Sequence, residues 1–162
     1  AEGVTFLEAE IALKLRRDLP SAPPVPYSRD AILDAIDAFA VAFEIVAYRL
    51  TSPDLPFPQR LADCLANDGL VIGTQRPVCS RLDDPVKHLS LYRNDVLEAF
   101  EPIHIDPINA LMAYANYGSG HIGGLKAGHW VLTGSMVGII YVTSAAKWKA
   151  EWNGKSTVSL SI

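Results

Sequence analysis

Glutamates occupy positions 8 and 10 of the run Thr5-Phe6-Leu7-Glu8-Ala9-Glu10-Ile11-Ala12-Leu13. A third, Glu44, sits inside the apolar run Phe39-Ala40-Val41-Ala42-Phe43-Glu44-Ile45-Val46-Ala47-Tyr48. In an extended strand side chains alternate faces with a rise of about 3.3 Å per residue, so Glu8 and Glu10 point the same way, about 7 Å apart. They can share one ion. A carboxylate with apolar neighbours on both sides, as at Glu44, costs several kcal/mol unless it is paired, protonated or bound to metal. Three hard oxygen ligands on neighbouring strands suit Mg²⁺, Mn²⁺ or Ca²⁺ better than zinc.

Each glutamate also has a plainer explanation. Leu7, Ala9, Ile11, Leu13 and Leu15 form an apolar face, which leaves Glu8 and Glu10 as the wet side of an amphipathic strand. Against that, Val4, Phe6 and Ala12 share the glutamate face, which is apolar for a wet surface. For Glu44 the plainer explanation is an internal salt bridge with Arg49 or Arg60.

The elements that must position these groups follow from punctuation and periodicity. A strand spans about Val4 to Leu15, and the proline-rich stretch Pro20-Ser21-Ala22-Pro23-Pro24-Val25-Pro26 ends it. Ser28 can cap a helix with Asp30 in its first turn and Ile32, Ile36, Phe39 and Ala40 at helical spacing. The Glu44 strand comes next, and Thr51-Ser52-Pro53-Asp54 with Pro56 and Pro58 reads as a surface loop. Strands are expected over Leu70 to Gly73, Pro85 to Tyr92 and Val96 to Ile105, with Arg93-Asn94-Asp95 as a turn. Asp106 and Pro107 start a helix carrying Ile108, Leu111, Met112 and Ala115 on one face. Three more strands are expected over His129 to Thr133, Val137 to Thr143 and Thr157 to Ile162.

Composition narrows the function classes. The 162 residues are enough for one domain with a core, and the net charge is −4. Arg16-Arg17 is the only adjacent basic pair and no stacking aromatic stands beside it, so nucleic acid is not an expected partner. No run approaches the roughly 18 apolar residues of a membrane span, and no signal-peptide pattern opens the sequence. Cys64 and Cys79 form no CxxC pair, which indicates neither zinc nor a disulfide framework and fits a reducing cytoplasm.

Other strings that mimic motifs are rejected on context. Gly118-Ser119-Gly120-His121-Ile122-Gly123 matches G-x-G-x-x-G but follows a helix rather than a strand, so the glycines read as a helix end and a loop. His88, His104, His121 and His129 share no ligand spacing, although His104 is a candidate to face a cavity. Ser135 lacks the nucleophile-elbow pattern. Asp63 with Arg60 reads as a surface or helix-end pair, and Trp130, Trp148 and Trp152 as strand packing. Lys14, at a strand end, reads as a solvated charge.

Taken in order, five stretches resemble the fumarylacetoacetate hydrolase superfamily, in its branch of 2-hydroxypentadienoate hydratases and 4-oxalocrotonate decarboxylases. Glu8-Ala9-Glu10-Ile11-Ala12 is similar to its E-x-E-I-A strand and Phe43-Glu44-Ile45-Val46-Ala47-Tyr48-Arg49 to its L-E-I-V-D-S-R strand. Leu61-Ala62-Asp63 resembles V-A-D, and the segment from Asp106 to Leu111 resembles the family's proline-led helix. The segment from Leu125 to Ser135 resembles L-x-A-G-D-x-V-L-T-G-S.

The resemblance implies an α+β fold, a mixed β-roll like the fumarylacetoacetase C-terminal domain, with flanking helices. It implies Mg²⁺ or Mn²⁺ held by Glu8, Glu10 and Glu44, with affinity falling at acid pH, and a small 2-oxo acid as substrate. Asp63 and Arg49 become candidates for water positioning and carboxylate binding, and Thr133 and Ser135 for substrate contacts. The expected activity is hydration of a short 2-hydroxy-dienoate, as in the catabolism of aromatic compounds, by a cytoplasmic homo-oligomer. The alternatives are a 2-oxo acid decarboxylase or C–C hydrolase on the same metal site, or an inactive subunit or partner-binding module.

The departures are specific. Ala47-Tyr48-Arg49 stands where the family has D-S-R, and Asp63-Cys64-Leu65-Ala66-Asn67 where it has D-N-A-S-S. Family members carry a further N-terminal segment with an acid/base lysine, whereas seven residues precede Glu8 here. The expectation is a single catalytic-type domain over residues 1–162 lacking that segment, or a part of a longer chain.

Overall fold

The computed structural model describes residues 6–50, 54–78, 88–102, 105–152 and 156–162. Among these residues two antiparallel sheets carry the fold. The first runs β3 (Asn67–Ile72), β2 (Ile36–Val46), β1 (Phe6–Leu15), β7 (Trp130–Tyr141), with the two-residue β4 (Arg76–Pro77) also on β2. The second runs β6 (Val96–Pro102), β5 (His88–Arg93), β8 (Lys147–Trp152), β9 (Ser156–Ser161). Every ladder among the described residues is antiparallel. Among the described residues three short α-helices flank the sheets: α1 (Arg29–Leu33), α2 (Phe57–Ala62) and α3 (Pro107–Ala113). The architecture is α+β, as expected, and no described helix is long and apolar enough to cross a membrane.

β1 is central and has two unlike faces. Leu7, Ala9, Ile11 and Leu13 are fully buried on one. Burying an aliphatic side chain of this size contributes about 1.5–3 kcal/mol, so this face anchors the first sheet to the core. The first sheet also meets the second through β2, which packs on β8 and β9, with the Phe39 and Trp152 rings edge to face at 4.6 Å. Close approach there requires glycine at position 73: a Cβ would lie 2.2 Å from the Thr157 carbonyl oxygen and 2.7 Å from that of Val41.

Local signals placed several elements. Ser28 caps α1 by accepting from the Ala31 N–H, and Asp106 caps α3 by accepting from the Ile108 and Asn109 N–H groups. Asn94 and Asp95 make the two-residue turn between β5 and β6, at φ 50° and 64°, the left-handed pair that a type I′ hairpin demands. The glycine-rich stretch forms a π-helical turn over Tyr114–Gly118 and a 3₁₀ turn over Ser119–Ile122 after α3, with no strand before it.

Three expectations are corrected and one strand is added. The helix capped by Ser28 stops at Leu33, and Ile36, Phe39 and Ala40 lie on β2, because the run that follows gains a full ladder on β1. Pro56 and Pro58 open α2 instead of a loop; proline is tolerated in a helix's first turn, where its missing N–H is not needed. The stretches His129 to Thr133 and Val137 to Thr143 belong largely to one strand, β7, bent in its middle. β8 was not among the expected strands, although its buried Trp148, Ala150 and Trp152 alternate with Lys147, Lys149 and Glu151, the period-two pattern of a half-buried strand. Val4, residues 51–53, Cys79, Pro85 and His104 lie outside the described residues.

Candidate metal centre

The other face of β1 carries the acidic groups. Glu8 on β1 lies directly opposite Glu44 on β2, and Glu10 is one step along the same face. Their carboxylate oxygens come within 4.8 Å of one another, the only such group of three or more potential ligands among the described residues. Glu10 is only 3% exposed, and Glu8 and Glu44 are half-buried, so this is not the wet side of an amphipathic strand.

On the opposite side β7 bulges. Glu8 pairs with Ile139 but Glu10 with Ser135, so β7 advances four residues while β1 advances two. Gly134 at φ 101° and Gly138 at φ 73° permit the excursion, which costs an L side chain far more. The bulge turns the Gly134 N–H toward the site, where it donates to Glu10 Oε2 at 2.8 Å. Thr133 Oγ donates to the Ile11 carbonyl at 2.9 Å and Ser135 Oγ to the Gly138 carbonyl at 2.8 Å. Of the two hydroxyls expected at the substrate, that of Thr133 thus donates across to β1 and that of Ser135 within the bulge.

Glu44 is held from the β3 side. Asn67 Nδ2 donates to Glu44 Oε1 at 2.8 Å, and this contact stands where an arginine salt bridge was the alternative. Asn67 follows Cys64, Leu65 and Ala66, three successive non-glycine residues at φ 53°, 54° and 69°. Such conformations cost of order 1 kcal/mol or more each and persist only where the surroundings enforce them. Arg49 supplies that enforcement. Its guanidinium donates to Asp63 Oδ1 at 2.6 Å, to the Asp63 carbonyl, to the Asn67 carbonyl at 2.9 Å and to Asp68 Oδ1 at 3.3 Å. Asp63 and Arg49, expected as substrate groups, are therefore paired with each other across the strained turn. The expected Asp63–Arg60 pair gives way to that contact, and Arg60 Nε instead donates to the Leu55 carbonyl at 2.9 Å.

Electrostatics mark the triad as short of positive charge. Burial raises the Glu10 carboxyl to about 7; the Gly134 N–H opposes this, while a hydrogen bond to Glu44 and the charges of Glu44 and Glu8 add to it. Burial and then the Glu44 charge raise Glu8 as well. Converging carboxylates that hold a proton between them near neutrality are a site in which a divalent cation replaces that proton. The donor set, all oxygen and all anionic, fits a hard divalent ion.

Sequence reasoning missed Asn67, the Gly134 N–H and an aromatic rim. Phe6 packs edge to face on Tyr48 at 5.9 Å and on Tyr141 at 5.1 Å, on the glutamate face. Phe6 shares parity with Glu8, so that signal was present; Asn67 and Gly134 arrive through turns and offered none. Lys14 sits at the far end of β1, against Asp37 at 4.0 Å and over the Trp130 ring.

No protein-family model matches the chain. Over 160 aligned positions it is 28% identical to 2-keto-4-pentenoate hydratase of Paraburkholderia xenovorans (strain LB400) and to 2-keto-4-pentenoate hydratase 3 of Pseudomonas putida. The matches cover 94% of this chain and 56% of each relative, so the chain spans little more than half their length. Among solved structures it is similar to 4-oxalocrotonate decarboxylase from Pseudomonas putida G7, complexed with magnesium and adipate: TM-score 0.75, 16% identity, 95% of this chain and 59% of that one. It is also similar to fumarylpyruvate hydrolase from Pseudomonas aeruginosa in complex with Mn²⁺ and pyruvate, at TM-score 0.69, 16% identity, 99% and 67%. A fumarylacetoacetate hydrolase family protein from Yersinia pestis CO92 gives TM-score 0.66, 22% identity, 99% and 72%. The fold is that of the fumarylacetoacetate hydrolase superfamily. The curated relatives support the resemblance to its hydratase and decarboxylase branch.

Proposed function

We propose that this chain carries the metal site of a hydratase that adds water to a short 2-hydroxy-dienoate or its 2-oxo-enoate tautomer. The observation behind the reading is the convergence of Glu8, Glu10 and Glu44 on a largely dry sheet face, within 4.8 Å of one another. The names of the two curated relatives support hydration over the other chemistries of this fold. Glu8, Glu10 and Glu44 hold Mg²⁺ or Mn²⁺, which when bound supplies Lewis-acid stabilisation for the enolate charge beside the substrate carboxylate.

The chain's own groups give that ion its geometry. The Gly134 N–H and Asn67 Nδ2 each occupy a carboxylate oxygen, which orients Glu10 and Glu44 as outer-shell partners do in metal sites. Phe6, Tyr48 and Tyr141 form an apolar wall beside the triad against which a conjugated tail can lie. Arg49 and Asp63 enter as positioning residues, holding the turn that carries Asn67. Thr133 and Ser135 support the bulge, with hydroxyl oxygens still able to accept from a substrate.

Titration with Mn²⁺ followed by 2-oxopent-4-enoate tests the reading. Binding of about one ion per chain and gain of one water mass by the substrate are expected, both lost in Glu44→Gln. Release of carbon dioxide or acyl cleavage would instead select the decarboxylase or hydrolase reading, which the structural likeness to 4-oxalocrotonate decarboxylase favours.

A further inference from the structure

The glutamate face of the first sheet is closed on one side of the triad and open on the other. One rung beyond Glu10, Ala12 and Ala40 are fully buried, as is Ala42 opposite Glu10 itself. In the other direction the surface opens. Leu70 and Ile139, which pair with Glu44 and Glu8 from the outer strands, are exposed. On the next rung Phe6 lies opposite Tyr141 on β7 and Val46 on β2, with Tyr48 two residues after Val46. Tyr48 is 57% exposed and Tyr141 68%, each edge to face with Phe6. Phe6 and Glu8 are about 7 Å apart along the strand, a distance that a short carbon chain crosses.

This exit is also without positive charge. Lys14 is the only basic residue on β3, β2, β1 and β7, and it stands past the closed stretch, 4.0 Å from Asp37. Arg49, just after Tyr48, has its guanidinium engaged by Asp63, Asn67 and Asp68. A second carboxylate leaving by this route has Glu8 and Glu44 behind it and no free cation among these strands to meet it. An uncharged ring meets three other rings, where aromatic pairing adds to the burial of apolar area.

We infer that the tail of the substrate is an aryl group seated against Phe6, Tyr48 and Tyr141, so that this chain takes an aryl-substituted 2-oxo-enoate. Tyr48 and Tyr141 set that preference. The inference rests on the metal-site reading above and names the substituent carried by its substrate.

Calorimetric titration of the Mn²⁺-loaded chain with pyruvate, 2-oxopentanedioate and 2-oxo-4-phenylbutanoate tests it. The three share the 2-oxo acid end and differ in having no tail, a charged tail and an aryl tail. Wild type should bind the aryl acid about 10-fold or more tighter than either of the others, the effect of one aromatic pair with its buried area. The double variant Tyr48→Ala/Tyr141→Ala should bring the ratio of aryl acid to pyruvate affinity close to one. Tyr48→Phe/Tyr141→Phe, which keeps both rings, should retain the ratio. A disturbed metal site weakens all three acids together, so the ratio separates loss of the rim from loss of the site. An aryl acid bound no tighter than pyruvate, or a preference for 2-oxopentanedioate, would overturn the inference while Mn²⁺-dependent pyruvate binding upheld the metal site. An aryl preference that survives the double alanine variant would do the same. Absence of Mn²⁺-dependent pyruvate binding would overturn the underlying reading and this one with it.

Discussion

The two faces of β1 are built from the same strand and obey opposite rules. Leu7, Ala9, Ile11 and Leu13 on one face lose all contact with water and lower the free energy of the fold. Glu8 and Glu10 on the other are gathered with Glu44 into surroundings that raise their proton affinity, which opposes folding near neutral pH. One face is optimised for stability, whereas the other holds a tension that an ion relieves. Backbone strain follows the same division. The left-handed turn at Asn94-Asp95, far from the triad in the second sheet, uses residues suited to it, while that at Cys64-Leu65-Ala66, beside the triad, uses residues that resist it and needs Arg49 to hold it.

The sharpest way to break this comparison is to truncate each face in turn without metal present. Ile11→Ala should cost about 2–5 kcal/mol by urea unfolding, as large-to-small core changes do. Glu10→Gln should leave the metal-free chain as stable as wild type or more so at pH 8, because it removes a strained charge. A loss for Glu10→Gln comparable to Ile11→Ala would make the two faces alike.

Next in size is the response to metal. At 100 times its Kd an ion should stabilise wild type by about 2.7 kcal/mol, seen as a rise in Tm. Glu44→Gln should abolish the rise, and a rise of unchanged size would remove Glu44 from the site.

A smaller effect is expected from the turn. Arg49→Met should weaken Mn²⁺ binding by about 10-fold, as loss of outer-shell support does, and should also lower metal-free stability, because the Asp63 side chain, only 8% exposed, loses its partner. If Mn²⁺ affinity in Arg49→Met matched wild type, the turn would have no hold on the site.

A further test is a pH slope. Glu10 binds its proton more tightly folded than unfolded, so between pH 4.5 and about 7 the folded chain carries the extra proton. Metal-free stability from this group should therefore be full below pH 4.5 and decline as pH rises to about 7, while metal affinity climbs over the same interval. Denaturant midpoints across this range, compared with Glu10→Gln, would show the slope or its absence.

Much of the site was legible in the residues themselves. Alternation put Glu8 and Glu10 on one face, the apolar setting of Glu44 demanded a partner, and Ser28, Asn94-Asp95 and Asp106-Pro107 announced their caps and turn because each acts through its own nearby backbone. These are local consequences of side-chain chemistry, and one strand is enough to reveal them.

Tertiary structure decided the rest. Whether Ile36, Phe39 and Ala40 belong to helix or strand depended on whether β1 was there to pair with. That Glu44 faces Glu8, that a bulge aims the Gly134 N–H at Glu10, and that Arg49 meets Asp63 and Asn67 are all set by register between distant segments. A sequence specifies which groups cannot stand alone; which partner each one finds is fixed only when the ladders close and bring far parts of the chain within hydrogen-bond reach.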